Sequence, residues 1–318
     1  MAAANCNGTS VPGLTPLNDL GNGTYRGYRG GLYTNGTNKD PQAHLSDGLT
    51  LASQVTPLNS TGSPSSMGKI VLVSVGMSNT NIETQGLVQL AKNDSSLNPK
   101  LVIVNGAQGG EDAHAIVTNP APYWSYVNTQ LSNAGVTSKQ VEAAWLKEAD
   151  ASPSGSNITY AATLSSQLTT ILQMMLQQFP NLKLTYLSGR TYAGYASSTL
   201  NPEPYAYTSG FSVKWTVEEQ INGTSSLKYR SSVGPVQTSW IAWGPFLWAN
   251  GLVARSDGLT WVCSDFQSDG THPSTPQGEL KVGNMLLNFF KTDQTASPWF
   301  SNSKAVQNVV ATGSRFGL

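Results

Sequence analysis

The sequence predicts an α/β sandwich with helices on both faces of a parallel sheet, and three observations carry that prediction. Short β-branched apolar runs stop at glycine or turn residues. Each is followed by a polar stretch with apolar residues at helical spacing, and the alternation recurs from Lys69 almost to the end of the 318 residues. Runs apolar on every residue belong to strands buried on both faces, as parallel strands are.

Residues 1–67 are rich in Gly, Asn, Thr and Pro and show no sustained helical period. They read as an irregular extension with short strands or turns, packed on a single domain spanning 68–318. Ile70 to Val75 is the first strand, ended by Gly76, and Ser78 to about Ala91 is a helix with Ile82, Leu87, Val88 and Leu90 as its apolar set. Leu101 to Val104 is a second strand, Tyr123 to Ala134 a helix, and Val141 to Leu146 a third strand. Ala161 to Phe179 is an amphipathic helix stopped by Pro180, and Leu182 to Leu187 is the fourth strand. Pro204 to Ile221 reads as helix, Trp240 to Trp243 as strand or turn, and Glu279 to Phe290 as a closing helix with Val282, Met285, Leu286 and Phe289 on its apolar face.

Composition excludes several function classes. Lys plus Arg and Asp plus Glu are each 18, so net charge gives no reason to expect nucleic acid or an anionic membrane as partner. Charged residues make up only 11%, against about a quarter in average soluble domains, a composition commoner outside the cell. No apolar run reaches the roughly 18 residues of a membrane span. The chain opens Met-Ala-Ala-Ala-Asn with no basic segment leading into an apolar one, which reads as a mature form without its signal. Cys6 and Cys263 fit either one long-range disulfide or two buried thiols. Asn7, Asn22, Asn35 and Asn222 each open an Asn-Gly-Thr triplet, readable as turns or as glycan acceptors.

Two motifs carry chemistry. Gly76-Met77-Ser78-Asn79 lies between a buried strand and a helix, at the carboxyl edge of the sheet where open α/β folds bind ligands. There Ser78 is either an ordinary helix cap or a nucleophile whose backbone N–H faces developing negative charge. Asp269-Gly270-Thr271-His272-Pro273 precedes the last helix. An Asp three residues ahead of a His on one tight turn can fix the tautomer that leaves the other ring nitrogen as a base. The same stretch would also serve as a capping turn.

Together, in this order and at this distance, the two motifs resemble the first and last blocks of the SGNH (GDSL-like) hydrolases, over about residues 69 to 292. Gly-X-Ser-Asn is closer to the carbohydrate-esterase branch than to the lipases. The resemblance implies a three-layer α/β/α sandwich with a five-stranded, mostly parallel sheet, and ester hydrolysis by a Ser78, His272 and Asp269 triad. Asn105-Gly106-Ala107-Gln108-Gly109-Gly110 is similar to the family's second block, which implies an oxyanion N–H from Gly110 or its neighbour Gly109 besides that of Ser78. The family's Gly-X-Asn-Asp block should follow the third strand, where this chain has Lys147-Glu148-Ala149-Asp150. Ala149 replaces the Asn donor, a loss of about 2.7–4 kcal/mol where such a donor has been removed, so Lys147 or Gln108 is expected to substitute.

Five further residues are expected to bind substrate. Asn79 adjoins the nucleophile. Arg190 and Tyr192 follow the fourth strand; Arg190 would meet a substrate carboxylate or oxygen, or else pair with Glu203. Trp243 and Trp248 would stack a sugar ring or pack in the core. His44 and His114 lack ligand spacing, and neither metal nor other cofactor is expected. The expected function is a secreted or envelope-exposed serine esterase of short, acetyl-type esters on a small molecule or carbohydrate. A hydrolase of longer acyl chains, lipase- or thioesterase-like, and a non-catalytic glycan-binding module are the alternatives.

Overall fold

The computed structural model describes residues 3–302. Five strands, β1 (Ile70–Gly76), β2 (Leu101–Asn105), β3 (Val141–Lys147), β4 (Leu184–Leu187) and β5 (Trp240–Trp243), form one sheet in the order β2-β1-β3-β4-β5 with every pairing parallel. β1, β3, β4 and β5 are buried at every residue, which explains their mostly apolar runs, whereas β2 is a half-buried edge.

Parallel pairing requires crossovers, and right-handed ones place helices on both faces. The helices of six residues or more are α1 (Gln42–Ala52), α2 (Ser78–Ala91), α3 (Ala113–Thr118), α4 (Pro120–Asn133), α5 (Asn157–Gln178), α6 (Tyr205–Ile221) and α7 (Gln277–Thr292). α2 packs on α7, and α5 packs on α6 across the sheet, giving a three-layer α/β/α sandwich. Strand order reverses between β1 and β3, so the crevice for ligands opens beyond the carboxyl ends of these two strands.

Helix ends follow local chemistry. α4 starts at Pro120, whose missing N–H costs nothing at the first helical position. α5 starts four residues before its first expected apolar residue because the Ser156 hydroxyl caps the Thr159 N–H at 3.3 Å. α2 and α7 cross at glycine: a Cβ on Gly283 would lie 2.6 Å from the Gly86 carbonyl carbon, and one on Gly86 would lie 2.4 Å from the Glu279 oxygen.

Two findings differ from the sequence reading. α1 falls inside the segment read as irregular, and it lies against β4 and β5. Here the Trp240 indole N–H donates to the His44 carbonyl at 3.0 Å and that of Trp243 to Leu32, while the edge-facing backbone N–H groups of Ile241 and Trp243 donate to the Gln220 side chain and the Tyr33 hydroxyl. Second, α2 buries Thr80, Glu83, Thr84, Gly86 and Leu87, while Val88 of its expected apolar set is exposed. Of the two readings of the cysteines, the disulfide Cys6–Cys263 is the one present. Among the described residues, no helix is long and apolar enough to cross a membrane.

Candidate active site

The carboxyl end of β1 is pinned from three sides. The Gly76 N–H donates to the Tyr123 hydroxyl at 2.8 Å, its carbonyl accepts from Gln108 N–H at 2.9 Å, and the Thr80 hydroxyl reaches across to the Lys147 carbonyl at 2.7 Å. No side chain fits at Gly76, where a Cβ would lie 2.4 Å from that same carbonyl oxygen. Helix α2 therefore begins at once, and Ser78 sits in its first turn, where backbone N–H groups have no partner within the helix.

The last motif closes on itself. The Asp269 Oδ1 accepts from the N–H of Thr271 at 2.9 Å and of His272 at 3.0 Å, an Asx turn. Gly270 has φ +71°, and a Cβ there would lie 1.9 Å from the Tyr195 oxygen, so only glycine allows the turn. The other carboxylate oxygen is 2.5 Å from His272 Nδ1, and His272 Nε2 is 2.7 Å from Ser78 Oγ. A carboxylate only accepts, so Nδ1 carries the proton and Nε2 presents its lone pair to the serine hydroxyl. Burial acts to raise the Asp269 carboxyl, but the two backbone N–H groups and the His272 ring outweigh it and hold the group below its ordinary range. The Asn79 side-chain amide donates to the Thr271 carbonyl at 2.7 Å, tying the start of α2 to this turn.

These groups border a cavity of about 270 Å³, with Met77, Ser78, Asn79 and Gly110 on one side, Asp112, Asp150 and Ala151 on another, and Arg190, Leu200, Asn201, Thr271 and His272 completing it. A second cavity of about 370 Å³ shares Asp112, Asp150 and Ala151 with the first. A larger groove of about 440 Å³ lies by Leu101 at the opposite end of β2 and contains none of the motif residues. Among the described residues, no group of three or more His, Cys, Asp or Glu could hold a metal ion.

The remaining expected residues divide. Gly110 has φ +86° with open space where a side chain would be, and Gly109 lies beside Ser78, a Cβ there being 3.8 Å from that of the serine. Lys147 does not border the cavity. Its ammonium is wholly buried against both carboxylate oxygens of Glu83, because β3 turns residue 147 toward α2. Burial disfavours both charges, lowering the lysine to about 8 and raising the glutamate, while their attraction opposes this. Gln108 does not border the cavity either; its backbone N–H secures Gly76.

The aromatic residues expected at the cleft wall are core. Tyr192 donates to the Gly8 carbonyl at 2.6 Å, the Trp243 indole to Leu32 at 2.6 Å, and the Trp248 indole to Glu203 at 2.8 Å, each satisfied away from the cavity. Glu203 also accepts from the N–H of Ala193 and Tyr207; it attracts Arg190 but forms no ion pair with it. His44 lies between Asp40 and Gln220 far along the chain from the motifs. Asn201, Asp112 and Asp150 also border the cavity, although no sequence motif marks them. Asn201 has φ +49°, a left-handed conformation that asparagine tolerates, but nothing local announces its distant partners.

No family model and no curated protein sequence matches the chain. Several solved structures are similar to it. A GDSL-like lipase from Bacteroides thetaiotaomicron aligns at 9% identity and TM-score 0.37, covering 77% of this chain and 94% of that one. The C-terminal catalytic domain of Streptococcus pneumoniae peptidoglycan O-acetyltransferase A aligns at 10% and 0.33, covering 73% and 96%. An extracellular lipase from Streptomyces rimosus aligns at 13% and 0.33, covering 68% and 99%. At these identities and scores the likenesses carry no argument about activity, which rests on the site's own geometry.

Proposed function

We propose that this chain is a serine esterase of the SGNH (GDSL-like) type, nearer the carbohydrate-esterase branch, acting outside the cytoplasm on short acyl esters such as acetates. The observation that carries the reading is the unbroken relay from Asp269 to His272 to Ser78, at 2.5 and 2.7 Å, ending at a cavity next to a helix N-terminus. His272 Nε2 takes the proton from Ser78 as its oxygen attacks the ester carbonyl, and Asp269 stabilises the imidazolium so formed. The Ser78 and Gly110 N–H groups, with Gly109 adjoining, receive the oxyanion. His272 then protonates the leaving alcohol, and water attacks the acyl-enzyme by the same route.

With Ala149 in the block where the family has Asn, and with Lys147 and Gln108 away from the cavity, the reading proceeds on backbone donors alone. The disulfide and the sparse surface charge support an extracytoplasmic setting. A fluorophosphonate probe tests the proposal: one label per chain, lost in Ser78→Ala, is expected, with nitrophenyl acetate hydrolysed faster than long-chain esters. Folded protein that takes no label would refute the esterase, and a long-chain preference would refute the short-acyl assignment.

A further inference from the structure

Arg190 is the feature of the cavity that the relay does not use. It borders the same space as Ser78 and His272 yet is only 2% exposed. Among the described residues no carboxylate pairs with it within 4 Å. The acidic groups around it are committed elsewhere: Glu83 to Lys147, Glu203 to two backbone N–H groups and Trp248, and Asp269 to His272. Its Nη2 donates to the Thr271 hydroxyl at 2.6 Å, and its Nε–H is buried without a partner. A guanidinium stays charged when buried, and although Glu83, Glu203 and Asp269 attract it from farther away, none is in hydrogen-bonding contact, so its fork keeps capacity for a further acceptor.

Asn201 stands beside it with the opposite deficit. Its amide nitrogen donates to the Asp150 carbonyl at 3.0 Å and to the Tyr160 hydroxyl at 2.9 Å. A carbonyl can only accept, so this fixes which end of the amide is nitrogen. Its Oδ1 is then a buried acceptor without a partner, on a residue that is 2% exposed and borders the cavity. The two residues that carry this unused donor and this unused acceptor both border the space beside the nucleophile.

We propose that the ester substrate carries a carboxylate, received by Arg190, and a hydroxyl beside it that donates to Asn201, so that the enzyme acts on acylated polyhydroxy acids rather than neutral esters. The planar guanidinium fork suits a carboxylate. This rests on the esterase reading and adds the substrate's charge to it.

A matched pair of probes tests it: O-acetylated galacturonic acid and O-acetylated galactose, which differ only in a carboxylate against a hydroxymethyl group. A charge-assisted hydrogen bond predicts a kcat/KM about tenfold or more higher for the acid. Arg190→Gln should erase that ratio, and Arg190→Lys, keeping the charge without the fork, should retain part of it. Should these variants fail to fold, unmodified protein still decides: galacturonate should inhibit nitrophenyl acetate hydrolysis at far lower concentration than galactose. Equal constants and equal inhibition, in protein that takes the fluorophosphonate label, would overturn the anionic subsite alone. Protein that takes no label would overturn the esterase and the subsite with it.

Discussion

Gly283→Ala tests whether the crossing of α2 and α7 sets the distance between serine and imidazole. The new methyl would lie 2.6 Å from the Gly86 carbonyl carbon and 2.8 Å from the Leu87 nitrogen, both backbone atoms that no rotamer change can move. Carbon atoms rest at about 3.5 Å, so the helices must part by roughly 1 Å. Overpacking of this kind costs about 1–3 kcal/mol, offset by about 1 kcal/mol from replacing glycine inside a helix, for a net loss of up to about 2 kcal/mol. Ser78 opens one of these helices and His272 lies five residues before the other, so a displacement of that size also loosens their hydrogen bond. Misplacement by about 1 Å lowers turnover up to about a hundredfold. Urea unfolding with unchanged m-value and nitrophenyl acetate turnover would read both effects, with Asn284→Ala at the adjacent exposed position as the propensity control. A Gly283→Ala protein as stable and as active as the parent would refute the reasoning.

Asp269→Asn should lower kcat by about 10³–10⁴-fold while leaving the fold intact, since the ring would lose its tautomer control. Because the folded Asp269 carboxyl is held below its ordinary value, its stabilisation is complete above the unfolded pKa of about 3.9 and is lost as pH falls through the lower folded value. Any stability gap between parent and Asp269→Asn should therefore narrow below about pH 4 in urea titrations and be constant above pH 5. Lys147→Met should cost about 3–5 kcal/mol by stranding Glu83, and adding Glu83→Leu should recover most of that; a single variant that folds normally but loses only turnover would restore the oxyanion role to Lys147. Replacing both Cys6 and Cys263 with serine should lower stability by about 2–5 kcal/mol, measured by denaturant midpoint, and reductant should remove the same increment from the parent.

What was legible in the sequence follows from what was buried without polar partners. β1, β3, β4 and β5 announce themselves because both faces are covered, so nearly every residue is apolar or small, the exceptions being Glu142 and Lys147 of β3, which are ion-paired. α1 is invisible for the opposite reason. Its buried positions are His44, Gly48 and Ala52, a stripe with correct spacing but no large apolar residue. Gly48 is there because a Cβ would lie 2.4 Å from the Trp240 ring. α2 was placed correctly and its buried face was not, since that face holds Thr80, Glu83 and Thr84, which satisfy each other, β3 and Lys147. At the site, residues within one motif were readable because Asp269 and His272 are positioned by their own turn. Trp243, Trp248 and Tyr192 were not, because their hydrogen-bond partners lie more than 40 residues away in the chain. Asn201 was missed for the same reason.

The bond between residues 6 and 263 encloses the whole sheet in one covalent ring, with Asp269 and His272 just beyond its closure. A protease that nicked an exposed loop anywhere inside that ring would release no fragment. The cut molecule would migrate as a single species until the sulfurs were separated, and its tethered halves would hold each other at an effective concentration on the order of millimolar, free to reassemble. A severed backbone inside the ring therefore need not part Ser78 from His272.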